Sequence, residues 1–207
     1  MLGRKLVVIL FLIACSGTIA SAQSKYEIAP FFGGKCCGRI LFNNGTVDYD
    51  KIKNSEDFGV LFDYSLWDNF QAEFMWNRQP TTITQHNITP FGSNFTTVGN
   101  TNIDMYHFGI LYEFRSTEAR IKPFLGGGLG WTHFGNGDSL IGFSNRYSYN
   151  LGGGVKYFPA RVFGFRLDIR YLATRTLPQQ SVQNGFLITT SAHAKQGEAN
   201  AALVFRF

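Results

Sequence analysis

Phe163-Gly-Phe-Arg-Leu-Asp-Ile-Arg-Tyr171 alternates without a break: Phe163, Phe165, Leu167, Ile169 and Tyr171 are apolar, while Gly164, Arg166, Asp168 and Arg170 are small or charged. Successive side chains of a strand point to opposite faces, so this period specifies a strand with one apolar and one polar side. The period recurs along the chain. Tyr26, Ile28, Pro30 and Phe32 share one face of a first strand; Phe58 to Leu66 and Phe70 to Trp76 alternate in the same way. Tyr106 to Phe114, Ile121 to Trp131 and Tyr147 to Tyr157 continue the pattern, and Ala199 to Phe207 ends it. No segment sustains a helical period.

The connections alternate in length. Trp67 to Asn69, Ser116 to Ala119 and Phe158 to Val162 are short; Lys35 to Asn54, Gln79 to Thr101, Gly135 to Ser144 and Thr174 to Lys195 are long and rich in Asn, Thr, Ser, Gly and Gln. An up-and-down transmembrane barrel with short turns at one rim and long solvated loops at the other has this asymmetry.

Which face points outward is decided by volume. An eight-stranded barrel is only just wide enough inside for its own side chains. The apolar face carries Phe, Tyr or Trp on every segment, whereas the polar face carries Gly109, Gly126, Gly128, Gly130, Gly152, Gly154 and Gly164. Small residues therefore go in and the aromatics face lipid. Tyr26, Tyr64, Phe70, Tyr112, Tyr157 and Phe205 gather near the short turns, and Trp76, Trp131, Tyr147 and Tyr171 near the long loops, as two interfacial belts. The expected fold is all-β: a transmembrane antiparallel up-and-down barrel of eight strands.

The N-terminus reads as an export signal. Arg4 and Lys5 precede the apolar run Leu6 to Ala14, and Ala20-Ser21-Ala22 has the form of a signal-peptidase site. The run is much shorter than the ~20 residues that cross a bilayer as a helix. This divides the chain into a signal peptide, 1–22, and a barrel, 23–207. Leu12-Ile13-Ala14-Cys15 resembles a lipobox and offers a rival processing point. The formal net charge of +5 includes Arg4 and Lys5, and no basic cluster follows, so nucleic acid is not an expected partner.

The terminal Ala202-Leu-Val-Phe-Arg-Phe207 resembles the closing strand by which outer-membrane barrels are recognised for assembly. Ile28-Ala-Pro-Phe-Phe-Gly33, Lys122-Pro-Phe-Leu-Gly-Gly-Gly-Leu-Gly130, Leu151-Gly-Gly-Gly-Val-Lys-Tyr-Phe158 and Gly164-Phe-Arg-Leu-Asp-Ile-Arg170 are similar to blocks in small OmpA/OmpX-like outer membrane β-barrel proteins. The resemblance spans the mature chain. It implies a Gram-negative outer-membrane address, lipids as surroundings, and recognition by the barrel assembly machinery through Phe205 and Phe207. The family has no shared catalytic motif, and neither a cofactor nor a metal is expected.

The inward-facing charges are mixed. Glu73, Glu113, Lys122, Lys156, Arg166, Asp168, Arg170 and Glu198 are the expected members of a lumen ion-pair network, with Glu27, Asp63, Arg115, Arg146 and Arg206 also facing inward. Such charges could line a pore, but paired charges filling the lumen are the more economical reading, because unpaired ions in a narrow interior are costly. Cys36-Cys37 lies where the first strand enters its loop. Thiolate metal sites space their ligands further apart and need more of them; adjacent cysteines form a strained bridge, pair between chains, or stay reduced. Lipid A deacylases are barrels with a His-x-Ser motif near the last strand, but here His193-Ala194-Lys195 has lysine in the serine's place, so the nucleophile is missing. The expected function is a monomeric, non-enzymatic envelope barrel whose long loops meet surface ligands. A narrow porin-like channel is the alternative, and a lipid A-modifying enzyme the third reading.

Overall fold

The computed structural model describes residues 25–43, 47–89, 92–114, 119–135, 145–175, 179–183, 186–190 and 192–207. The expected signal segment with Cys15, and Arg115, lie outside these residues. The strands are β1 (Tyr26–Asn43), β2 (Val47–Ile52), β3 (Ser55–Trp67), β4 (Phe70–Thr89), β5 (Gly92–Glu113), β6 (Ile121–Phe134), β7 (Asn145–Tyr157), β8 (Phe163–Arg175), β9 (Gln179–Gln183), β10 (Phe186–Thr190) and β11 (Ala192–Arg206). All but β9 and β10 form one antiparallel sheet, and β11 pairs with β1 to close it. At the seam, Phe207 N–H donates to the Tyr26 carbonyl at 2.9 Å and Tyr26 N–H to the Phe207 carbonyl at 3.2 Å.

The ring has eight walls because β2 and β3 share one. β3 pairs with the lower part of β1, Tyr26↔Tyr64 to Lys35↔Ser55, and β2 with its upper part, Gly38↔Ile52 to Asn43↔Val47. On the other side both pair with β4. The break at Lys53-Asn54 is bridged by Lys53 N–H donating to the Thr82 carbonyl at 3.0 Å, and by the Thr81 hydroxyl donating to the Lys53 carbonyl at 2.8 Å.

The long connections contain more strand than the sequence reading expected. Lys35 to Asn54 is mostly ladder, and β4 and β5 run as a hairpin from Gln79↔Ile103 to Thr89↔Gly92, where a loop of 79–101 was expected. Within 174–195, β9 and β10 form a separate hairpin. Along β4 and β5, outward positions such as Gln85, Asn100 and Asn102 are polar because they stand above the apolar band, in water. Threonine and isoleucine still suit the pleated ladder, so pairing persists after the apolar alternation has faded.

The expected facing of the strands is what the ring displays. Ile169 is 72% and Leu129 73% exposed, while Arg166 and Lys156 beside the lumen axis are fully buried. A band of bare aliphatic and aromatic side chains around the whole wall is a surface that water would not tolerate and lipid would. Aromatic pairs edge the band, among them Tyr26–Tyr64 (5.1 Å between ring centroids) and Phe70–Tyr112 (5.0 Å) near the short turns, and Tyr106–Trp131 (5.7 Å) towards the long loops.

One part of the facing rule fails. Phe31, Phe124, Phe134 and Phe158 are buried inside the barrel, not in the lipid-facing belts. Inner glycines make room for two of them. A Cβ at Gly59 would lie 2.7 Å from Phe31 Cζ, and one at Gly164 2.7 Å from Phe158 Cε1.

Candidate functional site

The lumen is layered. Nearest the short turns, Lys156 from β7 reaches across the barrel, donating to Glu27 (2.6 Å), Asp63 (2.8 Å) and Gln71 (2.7 Å). It also lies 3.3 Å from Glu113, which pairs with Lys122 at 3.1 Å. Arg206 closes on Glu27 at 2.6 Å. One level up, Arg166 contacts Asp63 (3.0 Å), Glu73 (2.7 Å) and Asp168 (2.9 Å). Arg170 takes both oxygens of Glu73, at 2.7 and 2.9 Å, and one of Asp168 at 3.2 Å. Glu27, Asp63, Glu73, Glu113 and Asp168 thus answer Lys122, Lys156, Arg166, Arg170 and Arg206 one for one.

The inward phenylalanines belong to this assembly. The Arg166 guanidinium carbon lies 4.5 Å from the Phe124 ring centre, and that of Arg206 3.5 Å from Phe158. Their negative ring faces receive the cations' remaining surface.

A third level joins Lys35 to Glu198 at 3.4 Å and Asp57 at 3.8 Å, with Asn77 donating to Glu198 at 3.0 Å and Asn200 also donating to it. Above it lies Ser148 with His107 (Oγ to Nε2, 2.9 Å). An apolar layer of Ile40, Ile52, Ile83, Ile103, Met105, Phe134, Leu172 and Ala194 follows, all buried. The crevice among Ile52, Ile103, Met105, Phe134 and Leu172 leaves no space for a water molecule. A cavity of about 350 Å³ opens below the charged levels, lined by Lys25, Trp67, Gln71, Lys122 and Arg206.

The structure therefore gathers seven of the expected network residues, Glu73, Glu113, Lys122, Lys156, Arg166, Asp168 and Arg170, into the two lower levels. Glu198 is in register with Arg170 on one side and with Lys35 on the other, and it pairs with Lys35. Arg146 is half-buried, its guanidinium donating to the Asn145 carbonyl. Sequence reasoning missed Lys35, Asp57 and Gln71. A signal for the first two was present: Lys35 continues the odd-numbered inward phase of Glu27, Ala29 and Phe31, and Asp57 that of Gly59, Leu61 and Asp63. Phe205 and Phe207 point outward at the seam. His193 is half-buried, Ala194 inward and Lys195 outward.

The outer membrane protein beta-barrel domain family matches residues 8–207. No curated protein matches the chain. Among solved structures, the outer membrane protein OprG from Pseudomonas aeruginosa superposes with a TM-score of 0.61 at 11% identity, over 89% of this chain and 96% of that one. The outer membrane protein AlkL in lipid bilayers gives 0.59 at 15%, over 92% and 94%. Neisserial surface protein A gives 0.52 at 15%, over 88% and 96%. At such identities these likenesses establish the shared barrel and nothing finer. With the family spanning nearly all of its length and the apolar band encircling its wall, the chain belongs to the outer membrane β-barrel family and resides in the bacterial outer membrane.

Proposed function

We propose that the chain is a non-enzymatic, structural barrel of the cell envelope, presenting its polar outer hairpins to surface ligands. The observation that carries this reading is the filled lumen. Two balanced ionic levels, a polar level and a close-packed apolar layer lie in series between the periplasmic mouth and the outer rim. A pore needs a continuous wet path, and an ion crossing here would have to break several charge-assisted bonds at once. The missing serine at Lys195 argues against deacylase chemistry. The closed ring leaves no free edge among the described strands of its sheet, which favours a monomer. Phe205 and Phe207, on the last strand at the seam, are the expected contact for the barrel assembly machinery.

The test is conductance. Purified barrel in planar lipid bilayers should give no unitary current steps in molar salt. Regular open-channel steps would replace this reading with the porin-like one.

A further inference from the structure

Two thiols meet where β1 leaves its regular ladder. Neighbouring side chains of a pleated strand point to opposite faces, so a regular β1 would hold the sulfurs of Cys36 and Cys37 on opposite sides of the wall. Instead they lie 3.0 Å apart. Two features turn them together. The register with β11 shifts between Cys36 and Arg39, and Cys37 has a φ of 63°, a left-handed conformation that a residue with a Cβ rarely adopts. Asn54, at the break between β2 and β3, accepts the Cys37 N–H at 3.2 Å and so holds the turned backbone. Strain of this kind persists only where its surroundings impose it, and it points to a use.

Both cysteines are exposed. Cys36 is registered with Gly197, which is registered in turn with Tyr171 of the outer aromatic belt, so the pair sits at the height of that belt, where the apolar band ends. Gly197 crowds nothing: even an added Cβ there would only touch Cys36 Sγ, at 3.5 Å.

We propose that Cys36 and Cys37 are a redox modification site that closes reversibly into an intrachain disulfide by exchange with a small-molecule disulfide. One thiolate attacks the reagent, forming a mixed disulfide and releasing one small thiol. The second thiolate attacks the protein sulfur of that mixed disulfide and expels the other small thiol. Two protein thiols are oxidised and one reagent disulfide is reduced to two thiols, so atoms and electrons balance. Closure asks the sulfurs to move from 3.0 Å to about 2.05 Å. A tetrahedral metal at about 2.3 Å from each sulfur would spread them instead, and among the described residues no third ligand group completes such a site. Adjacent Cα atoms are about 3.8 Å apart, below the usual disulfide range of about 4.4–6.8 Å. The ring is therefore strained, and strained, exposed disulfides are the readily reduced ones.

The experiment uses the full chain folded in detergent micelles, equilibrated with reduced or oxidised glutathione, blocked with iodoacetamide and digested with trypsin. Cleavage after Lys35 and Arg39 isolates Cys36-Cys37-Gly38-Arg39. The expected peptide carries two alkyl groups after reduction and none after oxidation, where its mass falls by two hydrogens. Returning the oxidised sample to reduced glutathione should restore both alkylation sites. Cys37→Ser should instead trap glutathione on Cys36. The folded barrel should need at least about tenfold less oxidised glutathione than the urea-unfolded chain, since the fold brings the thiols together. A wild-type peptide that stays doubly alkylated, retains glutathione, or cross-links two chains would overturn the proposal. So would equal oxidation of folded and unfolded chain.

Discussion

Glu73 is bonded by both arginines of the second level through both of its oxygens, and its replacement by glutamine gives a sharp test of a dry, ion-paired interior. The side chain keeps its shape but loses its charge. Three charge-assisted bonds end on it, two from Arg170 and one from Arg166, at 2.7, 2.9 and 2.7 Å. Glutamine would keep one acceptor oxygen and set an NH2 group against guanidinium donors. Arg166 would retain Asp63 and Asp168, whereas Arg170 would keep chiefly one Asp168 oxygen at 3.2 Å. Removing one partner of a buried pair costs about 3–5 kcal/mol. At about 1.4 kcal/mol per decade, that is roughly a hundredfold or more in the unfolding equilibrium. Asp168→Asn is the internal control. It can keep Oδ2, which accepts from both arginines, and place its amide nitrogen at Oδ1, which has no hydrogen-bond partner in the structure; only the charge is lost, and about 1–3 kcal/mol is expected. Urea unfolding in lipid vesicles, read by tryptophan fluorescence and by heat-modified migration on gels, should show Glu73→Gln shifted well beyond Asp168→Asn. With a slope of about 1–3 kcal/mol per molar urea, the Glu73→Gln midpoint should fall by at least about 1 M. Unchanged midpoints in both variants, accompanied by a new anion current, would mean that water already solvates the arginines, and the reasoning would be wrong.

On the outward face of β8, Leu167→Arg places a cation in the lipid band and should cost about 2–4 kcal/mol if it lies near the midplane; equal folding yield and midpoint in vesicles would reverse the inside–outside assignment. Gly154→Ala should destabilise by about 1–3 kcal/mol through overpacking, because a Cβ there would collide with the Leu167 carbonyl and lie 2.8 Å from Asp168 Cβ; an unshifted midpoint would show that the wall yields more easily than its register implies. Protease applied to intact cells should cut, if anywhere, around the β4–β5 tip or within 176–191, and cleavage confined to the turn after Trp67 would invert the topology.

The facing of the ring strands other than β2 could be read from the sequence, because one side of each meets hydrocarbon and the other a crowded lumen. That contrast writes period two into Phe163 to Tyr171 with no tertiary information. Above the apolar band, as from Thr81 to Thr101, the outward side no longer selects an apolar residue at every second position, and the alternation that marks a strand fades although the ladder continues. Lys35 was lost in this way, placed in a loop when it is the cation of the third level. The identity of the partners was hidden for another reason. Alternation states which side of the wall a charge occupies, but not its height or its bearing around the cylinder. Lys156 and Glu27 meet across the lumen from β7 and β1, and only the shear of the closed ring sets that meeting. The inward phenylalanines escaped because ring bulk was read as incompatible with the lumen, whereas the glycines opposite give Phe31 and Phe158 their seats.

The seam between the first and last strands also sets the order in which the barrel can be finished. Every other wall of the ring pairs with a near neighbour in sequence, but β1 waits for β11, and the Tyr26–Phe207 bonds join the two extremes of the described chain. Until then the sheet is an open ribbon with two unpaired edges, which hydrocarbon would penalise at every amide. Insertion is therefore coupled to closure, and contacts of such sequence separation form slowly because the chain's loop entropy is surrendered before they repay it. The same adjacency makes the ends interchangeable with an outer loop: a short link from Phe207 to Lys25, with the chain opened between β9 and β10, would preserve every rung of the ring while moving the ends to the opposite rim and the last-formed joint to the β8–β11 wall.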